Sequence, residues 1–195
     1  QNKIFKNIWI QPASGDAGGS LGAALAFWHL ELNKERNLNQ KSFNSFLGPE
    51  YQDKQIGLSL KSLGANFQKS SEDDIISKAV NDIEAGKAVG WFQGRMEFGP
   101  RALGSRSILG DPRKPDMQKK LNLKIKFRES FRPFAPSIIL EKAKEWFDID
   151  VESPYMLLVS KVLLNKRLNI KENKNLFGID KLNVARSEIP AVTHV

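Results

Sequence analysis

Residues 91–136 constrain this chain more than any other stretch. They carry eleven Lys or Arg against four Asp or Glu, a net +7 in a 195-residue chain whose whole formal charge is +8. Arg95, Arg101 and Arg106 stand six and five residues apart, interrupted by Gly94, Gly99, Pro100 and Gly104. That spacing suits a loop folded back on itself, aiming several guanidinium forks into one pocket with the geometry that matches phosphate and carboxylate. A solvated basic face is the competing reading. Trp91, Phe92, Met96, Phe98 and Leu103, interleaved with the arginines, favour a site.

Around this block the chain reads as helices alternating with strands, which predicts an α/β domain. Ile4, Ile8 and Ile10 suggest a strand over residues 3–10. The Gly-rich turn 12–20 follows, then Leu21, Ala24, Leu25 and Trp28 at helical spacing. Strand, turn and helix in that order form an arrangement whose helix N-terminus can receive phosphate, and helix-packing glycines account for it equally. Residues 33–55 are polar, and Gly48-Pro49 breaks regular structure, so they read as a linker. Ser71 and Asp74 open a helix by capping-box logic, Ile75, Ile76, Ala79, Val80 and Ile83 are its expected buried stripe, and Gly86 stops it. Residues 88–92 read as a strand leading into the arginine loop. Met117, Leu121 and Ile125 give a helix whose other face, Lys119, Lys120 and Lys124, is expected to be solvated. Strands are expected over residues 134–140, 155–164 and 184–195, with a short helix over 141–147.

The chain has no cysteine, which excludes thiolate nucleophiles, disulfides and zinc–thiolate sites and fits a cytoplasmic location. No apolar run approaches the roughly 18 residues of a membrane span. His29 and His194 lack the motif of a nucleophilic triad. Glu97 and Asp111 are the acids nearest the arginines, and Glu97 is expected to orient Arg95 or Arg101 through a salt bridge rather than act as a base. What remains is electrostatic: holding polyanions and neutralising charge as it develops.

The run GRMEFGPRALGSRSILGDPR, followed by FRESFRPFAPS, resembles the C-terminal region of the O-carbamoyltransferases of nodulation-factor, cephem and tobramycin biosynthesis. PASGDAGGSLGAAL, FLGPEY, SPYML and IPAVTHV also look like blocks of that family, in the expected order. The resemblance implies an open twisted mixed sheet with helices, like threonylcarbamoyl-adenylate synthase, over residues 56–195. It implies the tail of an actin-like domain over residues 1–32, so that the chain reads as part of a longer enzyme.

It further implies carbamoyl phosphate and ATP as substrates, carbamoyl-adenylate as intermediate, and a small hydroxylated acceptor. By position, Arg95, Arg101 and Arg106 are the implied catalytic and binding arginines, joined in binding by Lys126, Arg128 and Arg132. Asp16 matches a ligand of a divalent, iron-type metal whose histidines lie upstream in the family, so weak metal binding is expected here. A homodimer is compatible with this pattern. A basic RNA-binding module is the rival class, and a non-catalytic fragment of the enzyme the third reading. The stretch carries no RRM, KH or helix-turn-helix pattern, and no membrane partner is expected.

Overall fold

The computed structural model describes residues 4–6, 8–37, 44–169 and 177–194. The chain forms two compact units interleaved in sequence. One comprises Gln1–Asn66, Phe92–Ser107 and Ser153–Leu158; the other comprises Phe67–Trp91, Ile108–Glu152 and Val159–Val195. The architecture is mixed α/β, with five α-helices and a two-stranded antiparallel sheet among the described residues.

In the first unit, helix α1 (Asp16–Ala26) runs on into a π-helical turn, Phe27–Glu31, closed by the Leu32 N–H on the Phe27 carbonyl at 3.0 Å. The helix expected from Leu21, Ala24, Leu25 and Trp28 is therefore present, and it starts earlier, inside the Gly-rich turn. Asp16 opens it, where a carboxylate complements the helix dipole. Helix α2 (Asp53–Ser62) begins inside the stretch that reads as linker. The Gln55 side chain accepts from the Gln52 N–H at 3.0 Å, half of a capping box written in glutamines.

In the second unit, helix α3 (Glu72–Glu84) has the ends its sequence prescribes. The Asp74 N–H donates to the Ser71 hydroxyl at 3.2 Å, and the hydroxyl donates to the Asp74 carboxylate at 2.6 Å. At the other end Gly86, at φ +75°, closes a Schellman motif: its N–H reaches the Ile83 carbonyl and the Lys87 N–H reaches that of Asp82, both at 2.9 Å. The stripe is the correction. No residue of α3 is buried; Ile75, Ile76 and Val80 are about half exposed. Caps and end charges are local and form the helix, whereas burial requires a covering surface that local sequence does not specify.

Strands β1 (Val89–Phe92) and β2 (Arg106–Leu109) pair to form the sheet. Helix α4 (Met117–Lys120) continues as a π-helical turn, Leu121–Ile125, closed by the Lys126 N–H on the Leu121 carbonyl at 2.9 Å. The wider turn shifts the apolar register. Met117 and Leu121 stay buried, Asn122 turns inward, and Ile125 is exposed. Lys120 leaves the expected solvated face, its ammonium donating to the Gly86 carbonyl beyond α3. Met117, Leu121 and Ala191 form the core of this unit, with Ala88, Ile108 and Phe134 packed against them. Helix α5 (Ala143–Trp146) follows a 3₁₀ turn, Leu140–Lys142, where a short helix is expected.

Four expected strands do not form among the described residues, so the sheet is smaller than the implied open one. Ile4, Ile8 and Ile10 are exposed and have no neighbouring strand to complete a ladder. Pro136 removes a ladder donor from residues 134–140, and Pro133 stands immediately before them. Met156, at φ +54°, breaks residues 155–164, where the single bridge Phe147–Val162 remains. Pro190 starts a 3₁₀ turn, Pro190–Val192, within residues 184–194, leaving only the bridge Arg167–Ser187 there.

Candidate functional site

In the first unit the arginine loop is drawn shut at its base, where the Gln93 N–H donates to the Ser105 carbonyl at 2.8 Å. Glu97 lies inside it with no side-chain surface exposed. One carboxylate oxygen accepts from the Leu103 N–H at 2.6 Å and the Ser105 N–H at 2.8 Å. The other faces the Arg106 Nε at 3.3 Å, an ion contact without hydrogen-bond alignment. Burial pushes the Glu97 carboxyl up, but the backbone N–H groups of Leu103, Glu97, Ser105 and Arg106 outweigh it, and the net shift is below the ordinary glutamate value. Glu97 therefore pairs with Arg106, not with Arg95 or Arg101 as the sequence suggests. Six or five residues of spacing does not reveal which arginine a loop folds back upon its carboxylate.

The loop closes at Gly99, whose φ is +104° and where an added Cβ would come within 2.9 Å of the Ala13 Cβ. Only glycine accepts both demands. Residues 45–50 strap the loop: the Phe98 N–H donates to the Ser45 carbonyl, the Met96 N–H to that of Pro49, and the Gly48 N–H to that of Met96. Arg95 is held by the same strap, through the Gly48 carbonyl at 2.9 Å and Glu50 at 3.3 Å. Arg106 also donates to the Gly99 carbonyl. Arg101 differs: it is exposed and makes no hydrogen bond or ion pair among the described residues.

The other three expected binding residues belong to the second unit. The buried Asn122 gathers two of them: its amide NH₂ donates to the carbonyls of Ser130 at 3.1 Å and Arg132 at 2.8 Å, and its oxygen accepts from the Arg128 Nε at 2.7 Å. The Arg128 guanidinium also lies 5.0 Å from the centre of the Phe134 ring, a cation–π distance. Arg132 pairs with Glu129 at 3.1 Å. Lys126 is exposed and makes no such pairing among the described residues. Asp111, almost fully buried, takes Arg113 as a two-pronged partner at 2.9 Å on each oxygen. That guanidinium holds its carboxyl below the ordinary aspartate value against the opposing effect of burial. His194 lies 3.4 Å from the Phe134 carbonyl.

Sequence reasoning missed Asn122, Glu50 and the 45–50 strap. The only signal for Asn122 is a polar residue one step from Leu121 on an apolar helix. Among the described residues, no three His, Cys, Asp or Glu side chains come together around Asp16.

The carbamoyltransferase C-terminus family matches residues 80–195, which hold all six candidate binding residues. The chain belongs to the carbamoyltransferase family. An uncharacterized protein of Synechocystis sp. is 53% identical over 196 residues, covering 98% of this chain and 32% of that protein. The nodulation protein NolNO of Sinorhizobium fredii is 40% identical over 196 residues, covering 98% of this chain and 26% of its own length. The nodulation protein U of Rhizobium fredii is 34% identical over 157 residues, 80% of this chain and 25% of that protein. The chain thus spans about a quarter to a third of the length of these relatives. Among its described residues, no helix is long and apolar enough to cross a membrane.

Proposed function

We propose that this chain is the anion-handling part of an ATP-dependent O-carbamoyltransferase. It binds carbamoyl phosphate and ATP, supports formation of carbamoyl-adenylate, and delivers the carbamoyl group to an acceptor hydroxyl bound elsewhere in the enzyme. The observation that carries this reading is Arg101, an exposed guanidinium without a partner among the described residues, on a loop held by backbone contacts on either side of it and lying in the segment that matches the family. Among the described residues, Lys126 in the other unit is likewise without a partner. Arg128, held at Nε by Asn122, keeps its remaining N–H groups for phosphate oxygens. The chemistry asked of these groups is positioning and charge neutralisation, the contributions that dominate transfer between phosphate-activated species.

Calorimetric titration of the chain with ATP and carbamoyl phosphate, separately and together, tests the reading. Saturable binding of both is expected, without carbamoylation of an added acceptor by this chain alone. Absence of binding, or affinity only for RNA with a steep fall in salt, sinks it.

A further inference from the structure

We infer that Glu97 is a positioning residue: it occupies Arg106 and pins the backbone beyond Arg101, so that Arg101 alone of the loop's three arginines meets the ligand anion. The inference rests on the anion-binding reading proposed above and divides its labour among residues.

Charge pairing makes the first argument. Arg95 already faces Glu50 at 3.3 Å and Arg106 faces Glu97 at 3.3 Å. A phosphate reaching either guanidinium competes with a carboxylate in place. Arg101 has no such competitor among the described residues and brings its whole donor fork to a ligand.

Geometry makes the second argument. The Glu97 contacts at Leu103 and Ser105 close residues 97–105 into rings that contain Arg101, and Pro100 fixes φ immediately before it. The backbone carrying Arg101 is therefore ordered before any ligand arrives. Ordering entropy is then not charged against binding, which is how preorganisation raises affinity.

The choice of a carboxylate makes the third. Glutamine in this position would accept from Leu103 and Ser105 only as a neutral, weaker acceptor, and its NH₂ would face the Arg106 Nε–H, donor against donor. Only an anion satisfies two backbone donors on one oxygen and a guanidinium on the other. The lowered Glu97 pKa keeps it ionised at neutral pH.

The test titrates carbamoyl phosphate into the chain and into the variants Arg101→Lys, Arg106→Lys, Glu97→Gln and Glu97→Gln/Arg101→Lys at one salt concentration. Exchange of the Leu103 and Ser105 amide protons is followed in parallel. Arg101→Lys is expected to weaken binding about tenfold, and Glu97→Gln about as much, with faster exchange at both amides. The double variant is expected to bind about as weakly as Arg101→Lys, because Glu97 acts through Arg101. Arg106→Lys keeps the ion contact and is expected to lose no more than about threefold. Additive losses in the double variant overturn the inference. So does an Arg106→Lys loss as large as that of Arg101→Lys, which needs no Glu97 variant to fold. Unchanged affinity in Arg101→Lys instead overturns the anion-site reading, and with it the ligand role of Arg101. In that case the amide exchange still shows whether Glu97 holds the loop.

Discussion

Two loops carry most of the expected ligand-binding residues, and each is gathered by one buried side chain: Glu97 within residues 97–106, and Asn122 within residues 122–132. The backbone each loop turns inward selects the chemistry. Leu103 and Ser105 present N–H donors, which a carboxylate oxygen can accept together. Ser130 and Arg132 present carbonyls, which need an amide NH₂. Both clamps then use their remaining oxygen on an arginine, Arg106 or Arg128. The carboxylate bears a desolvation penalty that the amide avoids, and it titrates. One loop is therefore clamped by a charged side chain that responds to acid; the other is clamped by an amide that does not titrate, beside the ion pair of Arg132 and Glu129.

Removing the charged clamp is expected to do the most damage. Glu97→Ala leaves two backbone donors without their acceptor and Arg106 without its ion contact, and we expect a loss of about 3 kcal/mol in denaturant unfolding. Asn122→Ala orphans two carbonyls and one guanidinium N–H, none of them requiring a buried charge. A loss of about 2 kcal/mol is expected, and a loss exceeding that of Glu97→Ala would reverse the ranking.

Acid separates the clamps more finely. The folded Glu97 carboxyl sits below its ordinary value of 4.5, so the unfolded chain takes up the proton first as pH falls. The stability this supplies is present above about pH 4.5 and is lost as pH drops through the folded value. Asp111, lowered from 3.8 chiefly by Arg113, adds a loss of the same sign further into acid. Stability measured from neutral pH downward should therefore fall less steeply in Glu97→Gln than in the parent chain. Asn122→Ala should run parallel to the parent; a flattened acid limb in that variant would break the distinction.

Smaller effects mark features outside both clamps. Ser71→Ala removes the cap of α3 and should lower stability by about 1 kcal/mol, visible as a shift of the denaturation midpoint at unchanged slope. Lys119 and Lys124 stand exposed on the helical stretch that runs from α4 into its π-helical turn. Changing both to Gln should alter stability by no more than about 0.5 kcal/mol, and carbamoyl phosphate affinity by less than Arg101→Lys does. A larger affinity loss in the lysine variant would move the site onto the helix.

Much of this chain could be read without coordinates wherever the determining physics is local. The Ser71 cap, the Gly86 stop and the helix after Pro112 follow from neighbours within a few residues of each other. The 94–113 block names its family because its arginines and glycines stand at fixed positions along the chain. Tertiary structure decided what sequence distance conceals. It chose Arg106 over Arg95 and Arg101 as the partner of Glu97, brought residues 45–50 across to strap the loop, and turned Asn122 inward by widening one helical turn. It also left the α3 stripe and four of the expected strands without the burial and pairing that periodicity suggests. Hydrogen bonds and ion pairs between residues far apart in the chain depend on where the backbone returns, and ladders and buried faces depend on what lies opposite. Neither is written in the spacing of the residues themselves.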